Sequence, residues 1–145
     1  MEKIEFKDIV RVYLRTVPGA KNVLRGLDDP PRSSFEVWPE EEADLFEFLS
    51  RAFTKPILIP KMCEEPLDRE VLTACFDFVE GLAKNPNPYV QNALYFEVYE
   101  QFLDAYDLLL TAQKFSGPVA RASLQQMLAE NYPATWKRLK GQADS

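Results

Sequence analysis

Proline and glycine divide this chain into segments whose apolar residues repeat at helical spacing. The sharpest break is the stretch Asn85-Pro86-Asn87-Pro88, in which Asn87 can cap a helix that begins at Pro88. Between such breaks, apolar residues recur every three or four positions, the period of an amphipathic α-helix. The pattern predicts an all-α fold, a single-domain irregular helical bundle of six or seven helices over residues 1–145. Stacked helical hairpins are the alternative arrangement.

The breaks also predict where the earlier helices begin and end. The first helix ends at Pro18, and the proline- and glycine-rich residues 18–40 are predicted to form a loop, with a short strand or turn around residues 35–38 as a further possibility. A second helix begins after Pro39 and ends at Pro56. Residues 56–60 are predicted to be an extended connector, since proline bounds them on both sides. A third helix is placed near residues 66–84.

The helix that begins at Pro88 is predicted to be unusually long. Its pattern continues to about Lys114, which would make it ~40 Å long if unbroken. A break near Asp107 is compatible with that length, although neither glycine nor proline marks one. Gly117-Pro118 then begins another helix, and a short final helix follows Pro133.

Residue types that the chain lacks exclude several enzyme classes. It contains no histidine, which excludes Ser-His-Asp and Cys-His catalysis and the usual zinc and non-haem iron sites. It also contains no P-loop, no dinucleotide-binding glycine motif and no EF-hand loop. We therefore predict a non-enzyme with no catalytic residues, no bound metal and no cofactor.

Cysteine usage and hydropathy bear on the compartment. Cys63 and Cys75 stand beside hydrophobic residues and are predicted to be reduced, buried thiols. No apolar run approaches ~18 residues, and the first five residues carry alternating charges instead of a signal-peptide core. These features predict a cytoplasmic protein without a membrane-embedded segment.

Acidic residues are concentrated in the middle of the sequence. Residues 33–110 hold sixteen acidic and five basic residues, whereas residues 1–32 and 111–145 are each slightly basic. A strongly acidic surface repels nucleic acid and attracts basic proteins. The charge distribution therefore favours a basic protein partner and argues against a nucleic-acid partner.

Four acidic residues of the long predicted helix form the main candidate site. Glu97, Glu100, Asp104 and Asp107 would fall within an arc of about 80°, opposite an aromatic face. No lysine or arginine occurs between residues 85 and 113, so no basic residue within the helix offsets this charge. The ridge is either an ordinary solvated face or a docking surface that tolerates like-charge repulsion. A second acidic cluster, which includes Glu41 and Asp44, begins the second helix.

An enzymatic interpretation uses carboxylates at the same spacing. Asp77 with Glu80, and Glu97 with Glu100, loosely resemble the ExxE…ExxD carboxylate pairs of magnesium-dependent, all-helical nucleotide pyrophosphohydrolases. Both pairs lie away from the apolar stripes of their helices, and so are predicted to point outward instead of toward a shared metal. This interpretation is the least favoured of those considered.

Residues 67 to 128 combine a predicted helix, a Pro/Asn turn, the aromatic and acidic stretch at residues 93–100 and a helix start at Gly117-Pro118. This order of elements resembles that of bacterial immunity proteins and related antitoxin-like inhibitors. It implies tight binding of a basic toxin domain, such as a nuclease. The partner-binding residues would be the four acidic residues of the ridge together with Glu41 and Asp44, with Tyr95 and Tyr99 as aromatic anchors if they are not fully buried. A helical scaffold or adaptor subunit is the alternative function.

Overall fold

The computed structural model describes residues 6–26 and 42–143, and all regular structure within these ranges is helical. This confirms the predicted all-α bundle. The described part contains more separate helices than the six or seven expected, because the helix predicted from Pro88 is divided and because α2 and α4 lie where a loop and an extended connector were predicted. The α-helices are α1 (Phe6–Thr16), α2 (Ala20–Gly26), α3 (Glu42–Phe48), α4 (Ile59–Met62), α5 (Arg69–Ala83), α6 (Pro88–Glu97), α7 (Tyr106–Phe115), α8 (Pro118–Asn131) and α9 (Pro133–Ala143).

Helix α5 lies at the centre of the bundle and packs against α1, α4, α6, α7 and α8. Its Phe78 joins Tyr13 of α1 and Phe53 in a set of fully buried aromatic rings, with centroids 5.0 to 6.5 Å apart. Rings that meet edge-on or tilted at such distances attract one another in addition to burying apolar area. These contacts link segments that are far apart in sequence into one core.

Side-chain caps fix both ends of the turn between α5 and α6. The Asn87 carboxamide oxygen accepts a hydrogen bond of 2.9 Å from the Tyr89 N–H, and Pro88 is the first residue of α6, as predicted. At the other side of the turn, Gln91 Nε2 donates to the carbonyls of Ala83 (3.0 Å) and Asn85. These carbonyls would otherwise lack a partner at the end of α5. The turn is therefore held by the side chain of Asn87 and by that of Gln91 in α6, which reaches back to the end of α5.

The prediction that the second helix ends at Pro56 and is followed by an extended connector is wrong. A π-helical segment (Leu49–Leu58) continues α3 directly into α4. A π-helix pairs residues five apart, so the carbonyl of Ala52 does not depend on an N–H from Pro56, which has none. The buried Tyr13 hydroxyl also donates to this carbonyl. Pro56 thus lies within a π-helical segment in which a side chain from α1 contributes a hydrogen bond to the backbone.

Two further predictions are corrected. Residues 18–40 are not loop throughout, since α2 occupies Ala20–Gly26 after a turn in which Gly19 has a φ of +82°. The remainder of this predicted loop, with its suggested strand or turn, lies outside the described residues. Cys75 is buried as predicted, but Cys63 is exposed because it follows the last turn of α4, beyond the buried Met62.

A buried carboxylate connects α5 to α8. Glu80 accepts hydrogen bonds from the backbone N–H groups of Ala120 (2.7 Å, at Oε1) and Val119 (3.1 Å, at Oε2) in the first turn of α8. A negative charge at this position is stabilised by unpaired N–H groups and by the helix dipole. The carboxylate reaches them by passing over Gly117, which offers no side chain to obstruct it. Glu80 is therefore buried, contrary to the prediction that it points outward.

Candidate functional site

The acidic ridge lies on three consecutive elements, not on one long helix. Glu97 is the last residue of α6, Glu100 and Asp104 lie in a 3₁₀-helical segment (Tyr99–Asp104), and Asp107 lies in the first turn of α7. The helix does not continue unbroken to Lys114: Val98 departs from helical geometry (φ −118°, ψ −64°), and Ala105, close to the possible break near Asp107, is extended (φ −151°, ψ 137°). The predicted arc of about 80° presumed one unbroken helix and does not apply.

The four carboxylates differ in exposure, but none of them forms an ion pair with another described residue. Asp104 and Asp107 are exposed, whereas Glu97 and Glu100 are half-buried. Among the described residues, no lysine or arginine forms an ion pair with any of them within 4.0 Å. Partial burial raises the pKa of Glu97 above its usual value; the charge of Lys55 opposes this effect and that of Glu100 adds to it. The folded protein thus leaves this negative charge without a direct salt bridge from its described part.

Asp107 contributes to the stability of its own helix. It lies in the first turn of α7, and Ala105, the residue that precedes this helix, provides no side-chain hydrogen bond. A carboxylate there interacts favourably with the positive end of the helix dipole. Part of the predicted ridge is therefore explained by the stability of α7.

Polar contacts join the end of α8 to the start of the ridge. The Asn131 side-chain amide donates a hydrogen bond of 2.9 Å to the Tyr95 hydroxyl. Burial raises the pKa of the Tyr132 hydroxyl, and the nearby Glu100 carboxylate raises it further. Glu100 therefore lies beside the tyrosine that follows α8, and its position depends on packing between elements distant in sequence.

The two predicted aromatic anchors have opposite positions. Tyr95 is half-buried and its hydroxyl lies at an exposed contact. Tyr99 is only 2% exposed, and burial raises its pKa to about 12. Its ring packs in the core beside Phe102, and its hydroxyl lies 3.4 Å from the carbonyl of Ala120. The condition attached to the anchors is met by Tyr95 and not by Tyr99, which is removed from the candidate site.

The second acidic cluster contributes little to a candidate site in the described part of the chain. Glu41 lies outside the described residues, and for Asp44 the description covers the backbone of α3 but not the side chain. Glu47, on the same helix, forms an ion pair of 2.9 Å with Arg51. The described carboxylate of this region is therefore paired within the fold.

The sequence interpretation missed an exposed aromatic residue beside the acidic ridge. Phe96 is 46% exposed and adjoins Tyr95 (ring centroids 4.9 Å apart) and Phe46 of α3 (6.3 Å). The exposure of Phe96 could have been predicted from its helical position, because it lies about 200° around the helix from the buried Leu94. Phe96 lies in a run of aromatic residues, and for that reason it was not distinguished from its buried neighbours. We call Phe46, Tyr95 and Phe96 the aromatic face.

The carboxylate pairs of the enzymatic interpretation do not meet at a common point. Glu80 is occupied by the backbone of α8, whereas Asp77, three residues earlier, is exposed. Within residues 6–26 and 42–143, no group of three or more cysteine, aspartate or glutamate side chains is placed to hold a metal ion. In this arrangement Glu80 serves helix α8 and is not available as a metal ligand.

Comparison of the chain with protein-family models, with curated proteins and with solved structures gives no match. In the described part of the chain, no helix is both long enough and apolar enough to cross a bilayer. The end of α6 and the 3₁₀ segment that follows it carry both the exposed ring of Phe96 and the carboxylates of Glu97, Glu100 and Asp104, and this part of the surface is therefore the basis for a functional proposal.

Proposed function

We propose that this protein is a non-enzymatic inhibitor that binds a basic protein through the surface around α6 and the 3₁₀ segment. One observation carries the proposal: an exposed aromatic ring, Phe96, lies beside carboxylates that have no ion pair with the described residues. Aromatic anchors contribute much of the binding energy at protein interfaces. Carboxylates around an anchor steer a basic partner toward it and select against acidic partners.

The specific class of inhibitor follows from the resemblance to immunity proteins, which implies a basic toxin domain as the partner. Such a domain has a cationic groove for its substrate, and an acidic inhibitor that fills the groove would exclude nucleic acid. The carboxylates of Glu97, Glu100 and Asp104 suit this role because none of them forms an ion pair with a basic residue in the described part of the chain. We assign the docking role to these three residues, with Tyr95 as a flanking contact.

The proposal is tested by replacing Glu100 and Asp104 with lysine. The probe is the basic C-terminal domain of a large secreted protein, if the reading frame upstream of this gene encodes one. We expect that domain to arrest bacterial growth and the wild-type chain to restore it. The double lysine variant should fail to restore growth and should associate with the purified domain at least tenfold more slowly, because steering by charge is lost.

A matched variant controls for net charge. Glu64→Lys with Asp77→Lys changes the net charge by the same amount at two exposed positions away from the 3₁₀ segment. The wild-type ion pair between Glu64 and Lys61 is exposed, so its loss in this variant should cost little stability. This variant should restore growth like the wild type. Equal behaviour of the two double variants, with circular dichroism showing that both are folded, would contradict the proposed site.

The aromatic face favours a helical adaptor subunit as the second candidate function. Phe96 and Phe46 form a continuous apolar patch, and such patches mark protein-binding surfaces whatever the charge of the partner. Salt separates the two functions. Association with a basic toxin domain should slow steeply between low and physiological ionic strength, whereas docking on an apolar patch should change little.

A further inference from the structure

We propose that the aromatic face is a docking site for an arginine side chain of the protein partner. The guanidinium group would stack on the exposed ring of Phe96 and pair with the carboxylates of Glu97 and Glu100. This inference rests on the proposed function, because it specifies the chemistry by which the partner is recognised.

Two neighbouring rings hold Phe96 in place. The ring of Phe46 lies nearly parallel to it, with centroids 6.3 Å apart and an angle of 28° between the planes. Tyr95 meets it at 66° with centroids 4.9 Å apart. The Tyr95 hydroxyl is in turn held by Asn131. These contacts support a ring that remains 46% exposed, whereas most other large apolar side chains of the described residues are buried.

This combination distinguishes Phe96 from an ordinary exposed apolar residue. Single apolar residues on a surface need no explanation. Val119, 39% exposed in the first turn of α8, is the other exposed large apolar side chain among the described residues. Phe96, by contrast, belongs to a supported aromatic cluster. Such a cluster presents a flat ring surface without a large entropic cost on binding, since its neighbours already restrict it.

The carboxylates beside the aromatic face determine the charge of the occupant. Glu97 follows Phe96 directly, and Gln101 Nε2 donates a hydrogen bond of 3.2 Å to the Phe96 carbonyl. This bond ties the 3₁₀ segment that carries Glu100 to the end of α6. Burial raises the pKa of Glu97, so its charged form would gain from a cation at this position. An apolar segment would instead bury carboxylates without partners, at a free-energy cost.

Among cations, the geometry favours arginine over lysine. A guanidinium group is planar, so it can stack on an aromatic ring and at the same time donate two parallel hydrogen bonds to a carboxylate. The same protein already contains such a stack: the guanidinium carbon of Arg138 lies 3.7 Å from the ring centroid of Tyr106. Lysine would provide charge without the planar contact.

Three peptide probes test the inference with the full-length protein. Each contains three repeats of Gly-Ser-X, in which X is arginine, lysine or citrulline, the uncharged planar analogue of arginine. Binding is followed by NMR at low salt. The arginine peptide should shift the Phe96 ring signals and the Glu97 and Glu100 amides, and should bind about two- to fivefold more tightly than the lysine peptide, as expected for a stacked cation. The citrulline peptide should bind weakest.

Two variants separate stacking from simple apolar contact. Phe96→Ala and Phe96→Leu should both weaken binding of the arginine peptide by about two- to fivefold, because both remove the ring face. Val119→Ala should bind like the wild type. Circular dichroism establishes that each variant is folded. Wild-type affinity in Phe96→Leu, equal affinity for the arginine and lysine peptides, or peptide-induced shifts confined to other surfaces would each overturn the inference.

The same variants distinguish this inference from the proposed function. If the Glu100→Lys, Asp104→Lys variant fails to restore growth while both Phe96 variants restore it and bind the arginine peptide normally, the proposed function stands and the arginine site is wrong. If the peptide binds as expected but no lysine or Phe96 variant affects growth rescue, the arginine site stands and the inhibitor function is wrong.

Discussion

Gly117→Ala should destabilise the protein through a contact that does not involve the backbone conformation of residue 117. Gly117 has a φ of −70° and a ψ of 174°, which alanine adopts without strain. A Cβ atom added there, however, would lie 2.6 Å from Cδ and 2.8 Å from Oε1 of Glu80. Those distances are too short for non-bonded atoms, so the Glu80 carboxylate would have to shift, and we expect the shift to break its hydrogen bonds to the first turn of α8.

The cost can be worked out from the two hydrogen bonds that Glu80 makes. It accepts from Ala120 N at 2.7 Å and from Val119 N at 3.1 Å, and a hydrogen bond to a charged group contributes about 1.5 kcal/mol or more. Alanine offsets about 0.4–1 kcal/mol by restricting the unfolded chain. The net loss should be about 2–3 kcal/mol, which corresponds to a melting temperature about 5–10 °C lower for a domain of this size.

Urea unfolding followed by circular dichroism measures this loss, and Gly81→Ala provides the matched control. Gly81 is exposed in α5, next to Glu80, and an added Cβ there meets no atom within 4 Å. This variant should be about 0.5–1 kcal/mol more stable than the wild type, because alanine favours the helix. If Gly117→Ala is as stable as the wild type, the contact between Glu80 and α8 does not have the proposed importance.

A double-mutant cycle tests the mechanism itself. Glu80→Ala removes the side chain that a Cβ at position 117 would displace, so adding Gly117→Ala to that variant should cost almost nothing. The two substitutions should therefore be strongly non-additive. Additive free energies of unfolding would show that Gly117→Ala acts in some other way, and would refute the steric argument.

Three further predictions follow from other buried groups. Tyr13→Phe removes a buried hydrogen bond to a π-helical carbonyl and should cost about 1–2 kcal/mol in urea unfolding, whereas Tyr95→Phe, at an exposed contact, should cost less than about 0.5 kcal/mol. A thiol reagent should modify Cys63 alone in the native protein and Cys75 only after unfolding, since burial raises the Cys75 pKa to about 12 and blocks access. Because folding raises the pKa of Glu97, the folded state binds the Glu97 proton more tightly than the unfolded state does. The stability linked to this proton is therefore lost as the pH rises through the raised pKa. Glu97→Gln should be more stable than the wild type at pH 7 and should lose this advantage below about pH 4.

The sequence predicted helix boundaries best where a local motif favours a single backbone structure. Asn87 before Pro88 predicted the start of α6, and the structure contains that cap. The breaks around residues 98 and 105 were not predicted at their positions, because neither glycine nor proline marks them. At Pro56, by contrast, a helix end was predicted where there is none, because a proline normally ends a helix but here lies within a π-helical segment. Backbone register depends on packing partners such as Tyr13, which lies far away in sequence.

The candidate site was predictable in residue type more than in geometry. The lack of lysine and arginine near the ridge is visible in the sequence, and the described residues form no ion pairs with its carboxylates. Helical periodicity placed Tyr99 on the apolar side but could not determine how completely it would be buried. Phe96 was missed because its exposure depends on where α3 ends beside α6. Those distinctions require tertiary contacts.

The fold divides its acidic residues into those it uses for its own stability and those it does not. Glu80 binds the start of α8, Asp68 caps α5 through the Val71 N–H, and Asp107 lies at the start of α7. The carboxylates of Glu80 and Asp68 satisfy backbone groups that would otherwise lack partners, and that of Asp107 lies at the positive end of a helix dipole, so their charge gives no information about function. Glu97 and Asp104 have neither a helix to cap nor an ion pair among the described residues. The acidic composition of the middle of the chain therefore overstates the size of the candidate surface, and the case for a basic partner depends on the few carboxylates that lie beside the aromatic face.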